Sequence, residues 1–278
     1  MSIITLTTDF GTADGYVGAM RGVILSHAPE ARLVDLSHEI PPQEISRAAF
    51  VLCMAAPFFP PSAVHLVVVD PGVGTERRAI ALRTPEGSFV GPDNGVFTYV
   101  LAEAETWTAV ELTNAEYHLP GVSDTFHGRD LFAPAAAHLA AGVPLEELGR
   151  SLTNLSLLPL PRLTVSRNRV EGEVLHADRF GNLITSVGRL WWQEDHLVLV
   201  PAFGQRSAPA AEFPASTARV ELAERTLTGV HRTYGAVPMG RSLALVGSSG
   251  FLEIGVRQGS AAEELGACRG EPVVVTFQ

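Results

Sequence analysis

Five short segments of this 278-residue chain gather side chains that titrate or hydrogen-bond beside glycines that let a ligand approach the backbone. The first is Thr8-Asp9-Phe10-Gly11-Thr12-Ala13-Asp14-Gly15-Tyr16, where Asp9 offers two acceptor oxygens, enough for the paired hydroxyls of a ribose. Its glycine spacing is not that of a dinucleotide fingerprint, and helix N-capping by Thr12 or Asp14 is the structural alternative. The second runs from Val69 through Asp70-Pro71-Gly72-Val73-Gly74-Thr75-Glu76-Arg77 to Arg78. If Val64–Val69 and Arg78–Arg83 are neighbouring strands, Asp70 and Arg77 meet at one sheet edge, to share a ligand or to form an ion pair across the loop. The third, Asp124-Thr125-Phe126-His127-Gly128-Arg129-Asp130, sets a histidine at a helix entry, where it can reach a bound water and change charge near neutral pH. Here the alternative is that Asp130 caps the helix and Arg129 pairs with Asp124. In Asp178-Arg179-Phe180-Gly181-Asn182 the carboxylate and amide suit the ammonium and carboxylate of an amino acid, although turn chemistry explains Gly181-Asn182 equally well. Last, Gly247-Ser248-Ser249-Gly250-Phe251 reads as a hairpin turn or a hydroxyl-lined rim, and Tyr234 as a base-stacking ring or a half-buried tyrosine.

The elements that must position these groups fall into two regimes. Ile3–Thr7, Arg32–Leu36, Val64–Val69, Arg78–Arg83 and Ser88–Val90 read as strands. Helices are expected from Tyr16 through Ile24, over Ile45–Met54, Val96–Ala104 and Leu131–Ala141, which makes the N-terminal part α/β. The almost wholly apolar Val64–Val69 suits a strand covered on both faces of a mainly parallel or mixed sheet. From Leu163 onward helical periodicity nearly vanishes. Short strands at Val170–Ala177, Leu183–Val187, His196–Val200, Ala218–Glu221, Leu243–Val246, Phe251–Val256 and Val273–Phe277 indicate a smaller, β-rich, barrel-like domain. We expect an α/β domain over 1–157, a Pro-containing linker over 158–163, and the β-rich domain over 164–278, with a surface loop at Ala208–Ala218.

Composition narrows the function classes. With 46% hydrophobic and 18% charged residues the chain is globular, and a formal net charge of −10 with no basic run argues against a nucleic-acid partner. Ala48–Phe59, the most apolar stretch, is too short to span a bilayer, so no membrane association is expected. Residues 1–8 lack the features of a secretory signal, and a cytoplasmic location is the expectation. Cys53 and Cys268 lack metal-ligand spacing and read as two buried thiols.

Taken in order, the five segments resemble the hydroxide adenosyltransferases of S-adenosyl-L-methionine (SAM), the adenosine-forming SAM hydrolases related to the SAM-dependent fluorinase and chlorinase. The likeness covers nearly the whole chain. It is carried by Asp-Pro-Gly-Val-Gly-Thr-Glu-Arg at 70–77 and Thr-Phe-His-Gly-Arg-Asp at 125–130, and is weakest from Trp191-Trp192 to Pro214. The resemblance implies cleavage of SAM at C5′ by water or hydroxide to adenosine and L-methionine, without a metal or other cofactor. It also implies a homotrimer that holds SAM between the N-terminal domain of one subunit and the C-terminal domain of the next. Catalytic roles would fall to Asp70, Arg77 and His127: Arg77 stabilises hydroxide character, His127 orients the water or takes its proton, and Asp70 fixes both. Asp9 would hold the ribose, Asp178, Asn182 and Ser248 the methionine portion, and Tyr234 the adenine, while Ser249 stands where the halogenases carry arginine. Those enzymes have tyrosine at the position of Asp70 and, in the fluorinase, serine at that of Gly128. A carboxylate beside the nucleophile repels a halide, so water is expected to attack. Two other readings are a metal-dependent phosphoesterase using Asp9, Asp14, Asp93 and His127, and a non-catalytic adenosine- or SAM-binding protein.

Overall fold

The computed structural model describes residues 2–205 and 209–277, which divide into a first compact unit ending at Pro159 and a second beginning at Leu160. Unit 1 opens with β1 (Ile3–Thr8), α1 (Tyr16–His27), β2 (Arg32–Ser37), α2 (Ile45–Ala55) and β3 (Val64–Val68). β4 (Ala79–Thr84), β5 (Gly87–Pro92), α3 (Thr98–Glu103), β6 (Thr108–Leu112), α4 (Ala133–Ala140) and β7 (Gly149–Leu152) follow. The strands form one mixed sheet in the order β2-β1-β3-β5-β4-β6-β7, as the apolar runs lead one to expect. β2, β1, β3 and β5 are parallel, whereas β4, β6 and β7 extend the sheet in antiparallel fashion.

Burial explains this order. Every residue of β3 is buried, as a central strand with helices on its faces requires, while α1 buries Val17, Met20 and Ile24 at helical spacing. α1 and α4 close one face over Ile4, Leu6, Leu66, Val68 and Phe132, all at most 2% exposed. Two expectations change. β3 and the 79–84 strand are not neighbours, because β5 lies between them. The helix expected from Leu131 begins earlier, as a single π turn over Gly128–Phe132 that runs into α4. β6 and β7 were not foreseen, since Gly-Arg-Ser-Leu on an exposed sheet edge carries no apolar alternation.

Unit 2 contains β8 (Thr164–Ser166), β9 (Arg169–Ala177), β10 (Leu183–Gly188), β11 (Leu190–Gln193), β12 (His196–Leu199) and β13 (Ala211–Pro214). It continues with β14 (Arg219–Leu222), β15 (Arg225–Thr228), β16 (Val230–His231), β17 (Ser242–Val246), β18 (Phe251–Val256), the short helix α5 (Ala261–Leu265) and β19 (Pro272–Thr276). A nine-stranded sheet in the order β15-β14-β19-β9-β10-β18-β17-β16, with β8 on β9, is antiparallel except between β16 and β17. Contacts between β15 and β17 curl it into a nearly closed barrel around Val174, Leu183, Val220, Ile254 and Val275. β11, β12 and β13 form a separate antiparallel sheet. Part of the loop expected at Ala208–Ala218 is therefore strand β13, held by β12 through Leu197 opposite Phe213; Ala208 itself lies outside the described residues. Cys53 is buried but Cys268 is exposed, which corrects the expectation of two buried thiols. Among the described residues no helix is long and apolar enough to cross a membrane.

Candidate active site

The parallel strands β1 and β3 end side by side, Thr8 opposite Val68, at the point where the chain leaves β1 toward β2 on one side and β3 on the other. Ligands in open α/β sheets bind at such a switch point, outside the carboxyl ends of the strands. Asp9 and Asp70 follow those ends directly and line one cavity of ≈ 340 Å³ together with Phe10, Gln43, Phe126 and His127. The Asp9 loop is tied down by Thr8 Oγ1, 2.9 Å from His38 Nδ1, and by the Gly11 N–H, which donates to the His38 carbonyl at 2.8 Å. Gln43 was not foreseen in the sequence. Its N–H donates to Asp9 Oδ2 at 2.8 Å from a left-handed backbone (φ +66°), a costly conformation for a residue with a side chain. Thr12 and Asp14 do not cap α1; Gly15 occupies the N-cap with no side-chain hydrogen bond.

Asp70, Arg77 and His127 are brought together although the two flanking strands are not adjacent. Arg77 grips Asp70 with both arms of its fork, Nε donating to Oδ1 at 3.1 Å and Nη2 to Oδ2 at 2.6 Å, and Nη2 also donates to His127 Nδ1 at 2.9 Å. The pair is deep, at 7% and 5% side-chain exposure, and the guanidinium lies 5.3 Å from the Phe132 ring centroid. Asp70 and His127 line the cavity; Arg77 stands behind them. Arg77 Nη1 is buried without a hydrogen-bond partner among the described residues. Gly74 is needed in this loop: at φ +75° a Cβ would stand 2.5 Å from the Asp124 carbonyl oxygen, where the 70–77 and 124–130 loops touch.

Charge states follow from this packing. Burial holds the Asp70 carboxyl above the usual carboxylate range, against the opposing pull of Arg77. For His127, burial first and the Arg77 charge second push the imidazole pKa down. A guanidinium only donates, so His127 Nδ1 is the acceptor and the ring is neutral with its proton on Nε2. Asp130 plays a supporting part: it accepts from Ser123 N–H and Oγ at 3.0 and 2.7 Å and pairs with Arg129, which holds its pKa down to about 2 despite burial. It thus fixes the loop before His127 rather than capping a helix, and Arg129 pairs with Asp130, not Asp124.

Unit 2 has a larger cavity, ≈ 900 Å³, lined by Asp178, Asn182, Tyr234 and Ser248, all singled out in the sequence, and by Arg232 and Glu253, which were not. Ser249 is not among its lining residues. The β9-β10 turn is held by Asp178, whose Oδ1 accepts from the N–H groups of Phe180 and Asn182 at 2.8 and 2.9 Å, while Oδ2 accepts from Asn182 Nδ2 at 3.0 Å. Tyr234 Oη donates to Glu253 Oε2 at 3.3 Å. Burial, then Glu253, pushes the Tyr234 phenol up to about 12, and burial pushes the Glu253 carboxyl up, with Asp178 adding to it. A Cβ at position 247 would fall 1.7 Å from Glu253 Oε1, so glycine there makes the space that this carboxyl fills. The signal for Glu253 was its charge in the otherwise apolar Phe251–Val256 strand, where all residues are buried.

The phosphoesterase set is not assembled. Asp14 and Asp93 do not line the unit 1 cavity; Asp93 is paired with Arg78 and accepts the Ser156 N–H at 2.8 Å. No group of three or more metal-ligating side chains exists among the described residues.

A preorganised polar cluster at the switch point of an α/β sheet, joined in one chain to a β-barrel-like unit with a charged cavity, defines a two-domain enzyme rather than a passive scaffold. Comparison with known proteins gives the family. Residues 4–149 match the SAM hydroxide adenosyltransferase N-terminal domain and residues 172–274 the corresponding C-terminal domain, so the chain belongs to the SAM hydroxide adenosyltransferase family. It is 42% identical to an (R)-S-adenosyl-L-methionine hydrolase of Thermus thermophilus over 280 residues, 98% of this chain and 99% of the relative. A protein of the same name from Salinispora tropica is also 42% identical, over 98% and 97% of the two chains. Among solved structures, an uncharacterized conserved protein from Thermotoga maritima matches with a TM-score of 0.84 and 37% identity over 98% of this chain and 99% of that one.

Proposed function

We propose that this protein hydrolyses SAM at C5′ to adenosine and L-methionine, with water as the nucleophile. The observation that carries the mechanism is the single guanidinium of Arg77 holding both Asp70 and His127 at the cavity wall. Sulfonium makes methionine a good leaving group, so catalysis consists of placing an oxygen in line with the C5′–S bond and removing its proton. His127 presents an Nε2–H and orients the water by donating to it. Asp70, ionised but held above the usual carboxylate range by burial, accepts the proton, and the Arg77 charge stabilises hydroxide character. The C5′–O bond forms as C5′–S breaks, and the electron pair passes to sulfur as neutral thioether. These roles differ from the sequence expectation, in which Asp70 only fixed its neighbours: an imidazole that accepts at Nδ1 and carries its proton on Nε2 is a poor base. Asp9, with one carboxylate oxygen engaged by Gln43, holds the ribose through the other.

Asp178, Asn182 and Ser248 hold the methionine portion and Tyr234 the adenine. We also infer, from the family resemblance, a homotrimer in which one subunit's unit 1 works with the next subunit's unit 2; the site residues fall into two cavities, each within one unit. No further cofactor enters the scheme, and the cytoplasm, where SAM is available, is where it would act. Incubation with SAM and a chelator in 18O-labelled water should release methionine and adenosine carrying 18O at the 5′ oxygen. Unlabelled adenosine, or no methionine, overturns the reading.

A further inference from the structure

The unit 2 cavity is lined, among the described residues, by two acidic side chains, Asp178 and Glu253, and by one arginine, Arg232. Among the described residues, Arg232 is held from the side of Trp192 and Glu194. Its guanidinium carbon lies 3.9 Å from the Trp192 ring centroid, and Nη2 donates to the Glu194 carbonyl at 2.5 Å. Both partners come from the β11-β12 hairpin, Trp192 within β11 and Glu194 in the turn at φ +53°, in the segment where family likeness is weakest. A guanidinium has five N–H donors in a planar fork, and stacking on an aromatic face fixes the plane while leaving the fork edge open. Neither Asp178 nor Glu253 bonds to it: Asp178 closes the β9-β10 turn and Glu253 receives the Tyr234 hydroxyl. One cavity is thus lined by a stacked arginine and by two acidic residues that do not pair with it, a charge pattern complementary to a zwitterion.

We propose that Arg232, braced by the β11-β12 hairpin, is the carboxylate-binding residue of the substrate's amino-acid end and supplies the guanidinium that Ser249 does not carry. The inference rests on the hydrolase reading above and adds the residue that selects an α-amino acid over a simple amine. Arg232 forks onto the carboxylate while Asp178 faces the ammonium, so the zwitterion is recognised at both charges.

The test compares SAM with decarboxylated SAM, which keeps the sulfonium and the ammonium but lacks the carboxylate. Full-length wild type, Arg232→Met and Arg232→Lys are assayed for adenosine release. A charge-assisted bidentate contact predicts that Arg232→Met lowers kcat/KM for SAM about 10- to 100-fold, mainly through KM, with partial recovery in Arg232→Lys. On decarboxylated SAM the same substitution should change the rate by less than about twofold, the carboxylate contact being absent from that substrate. Competition provides a parallel readout that does not need the analogue to turn over: inhibition by L-methionine should weaken in Arg232→Met, and that by 3-(methylthio)propylamine should not. Equal loss with and without the carboxylate, or no loss on SAM, overturns the assignment. Failure of wild type to release adenosine from SAM would instead overturn the hydrolase reading.

Discussion

The two cavities treat charge in opposite ways. In unit 1, Asp70, Arg77 and His127 are joined by three hydrogen bonds around a guanidinium only 7% exposed, on the loop between β3 and β4 and the loop that enters the π turn before α4. In unit 2, among the described residues, Arg232 has no carboxylate partner, and Glu253 is buried with a tyrosine hydroxyl at 3.3 Å. The difference separates two tasks. A group that must act on a nucleophile has to be held before the substrate arrives, because reorganising it during the reaction raises the barrier. A group that recognises a charged ligand keeps its charge unpaired, since pairing it internally would have to be undone on binding. On the proposed reading, unit 1 supplies the chemistry and unit 2 the recognition.

That contrast can be broken by substitution. Asp70→Asn should reduce kcat for adenosine release by about 10²- to 10⁴-fold, the size typical of losing a general base, with little change in KM. It also leaves a buried guanidinium without its counter-charge, so thermal melting should show a stability loss of up to about 3–5 kcal/mol. A variant that loses stability but keeps kcat would reassign Asp70 as structural. Next in size is the pH dependence. Asp70 must be ionised and His127 neutral, and protonation of either removes activity, so kcat/KM should be flat at neutral pH and above and fall by about tenfold per unit on the acid side. Because the His127 pKa is pushed down, the fall should begin below the ordinary histidine value of about 6.5; a decline beginning above it would mean that His127 is charged in the free enzyme. The smallest effect belongs to unit 2. Asp178→Asn should raise KM for SAM about tenfold with kcat within about threefold, since it removes a charge from the binding surface but not from the reacting centre. A loss confined to kcat would erase the division between chemistry and recognition.

The alternating and continuous apolar runs made the strands of the parallel core and most strands of the barrel legible, because burial on one or both faces writes itself into residue type. β6, β7, β8, β11, β13, β15 and β16 were not legible, being short strands in which partners rather than side-chain pattern decide. The site behaved similarly. Asp9, Asp70, Arg77, His127, Asp178, Asn182 and Ser248 stood out because acid, base and glycine occur together at strand ends. Gln43 acts through its backbone N–H, which any residue type offers, and Arg232 sits in an unremarkable stretch before Tyr234; neither leaves a mark in the sequence.

What the sequence determined by itself is the set of functional groups and the family, since Asp-Pro-Gly-Val-Gly-Thr-Glu-Arg and Thr-Phe-His-Gly-Arg-Asp are local strings that survive without coordinates. Only the tertiary structure decided how they are wired. That Arg77 reaches His127 across 50 residues of chain, donates to Nδ1, and so fixes the proton on Nε2 is a matter of distance and direction, and it is what favours Asp70 as the base in the proposed mechanism, where the sequence left His127 either to orient the water or to take its proton. The physical reason is that a hydrogen bond depends on where two groups meet in space, and loops fifty residues apart meet because the end of β3 lies against the π turn that leads into α4.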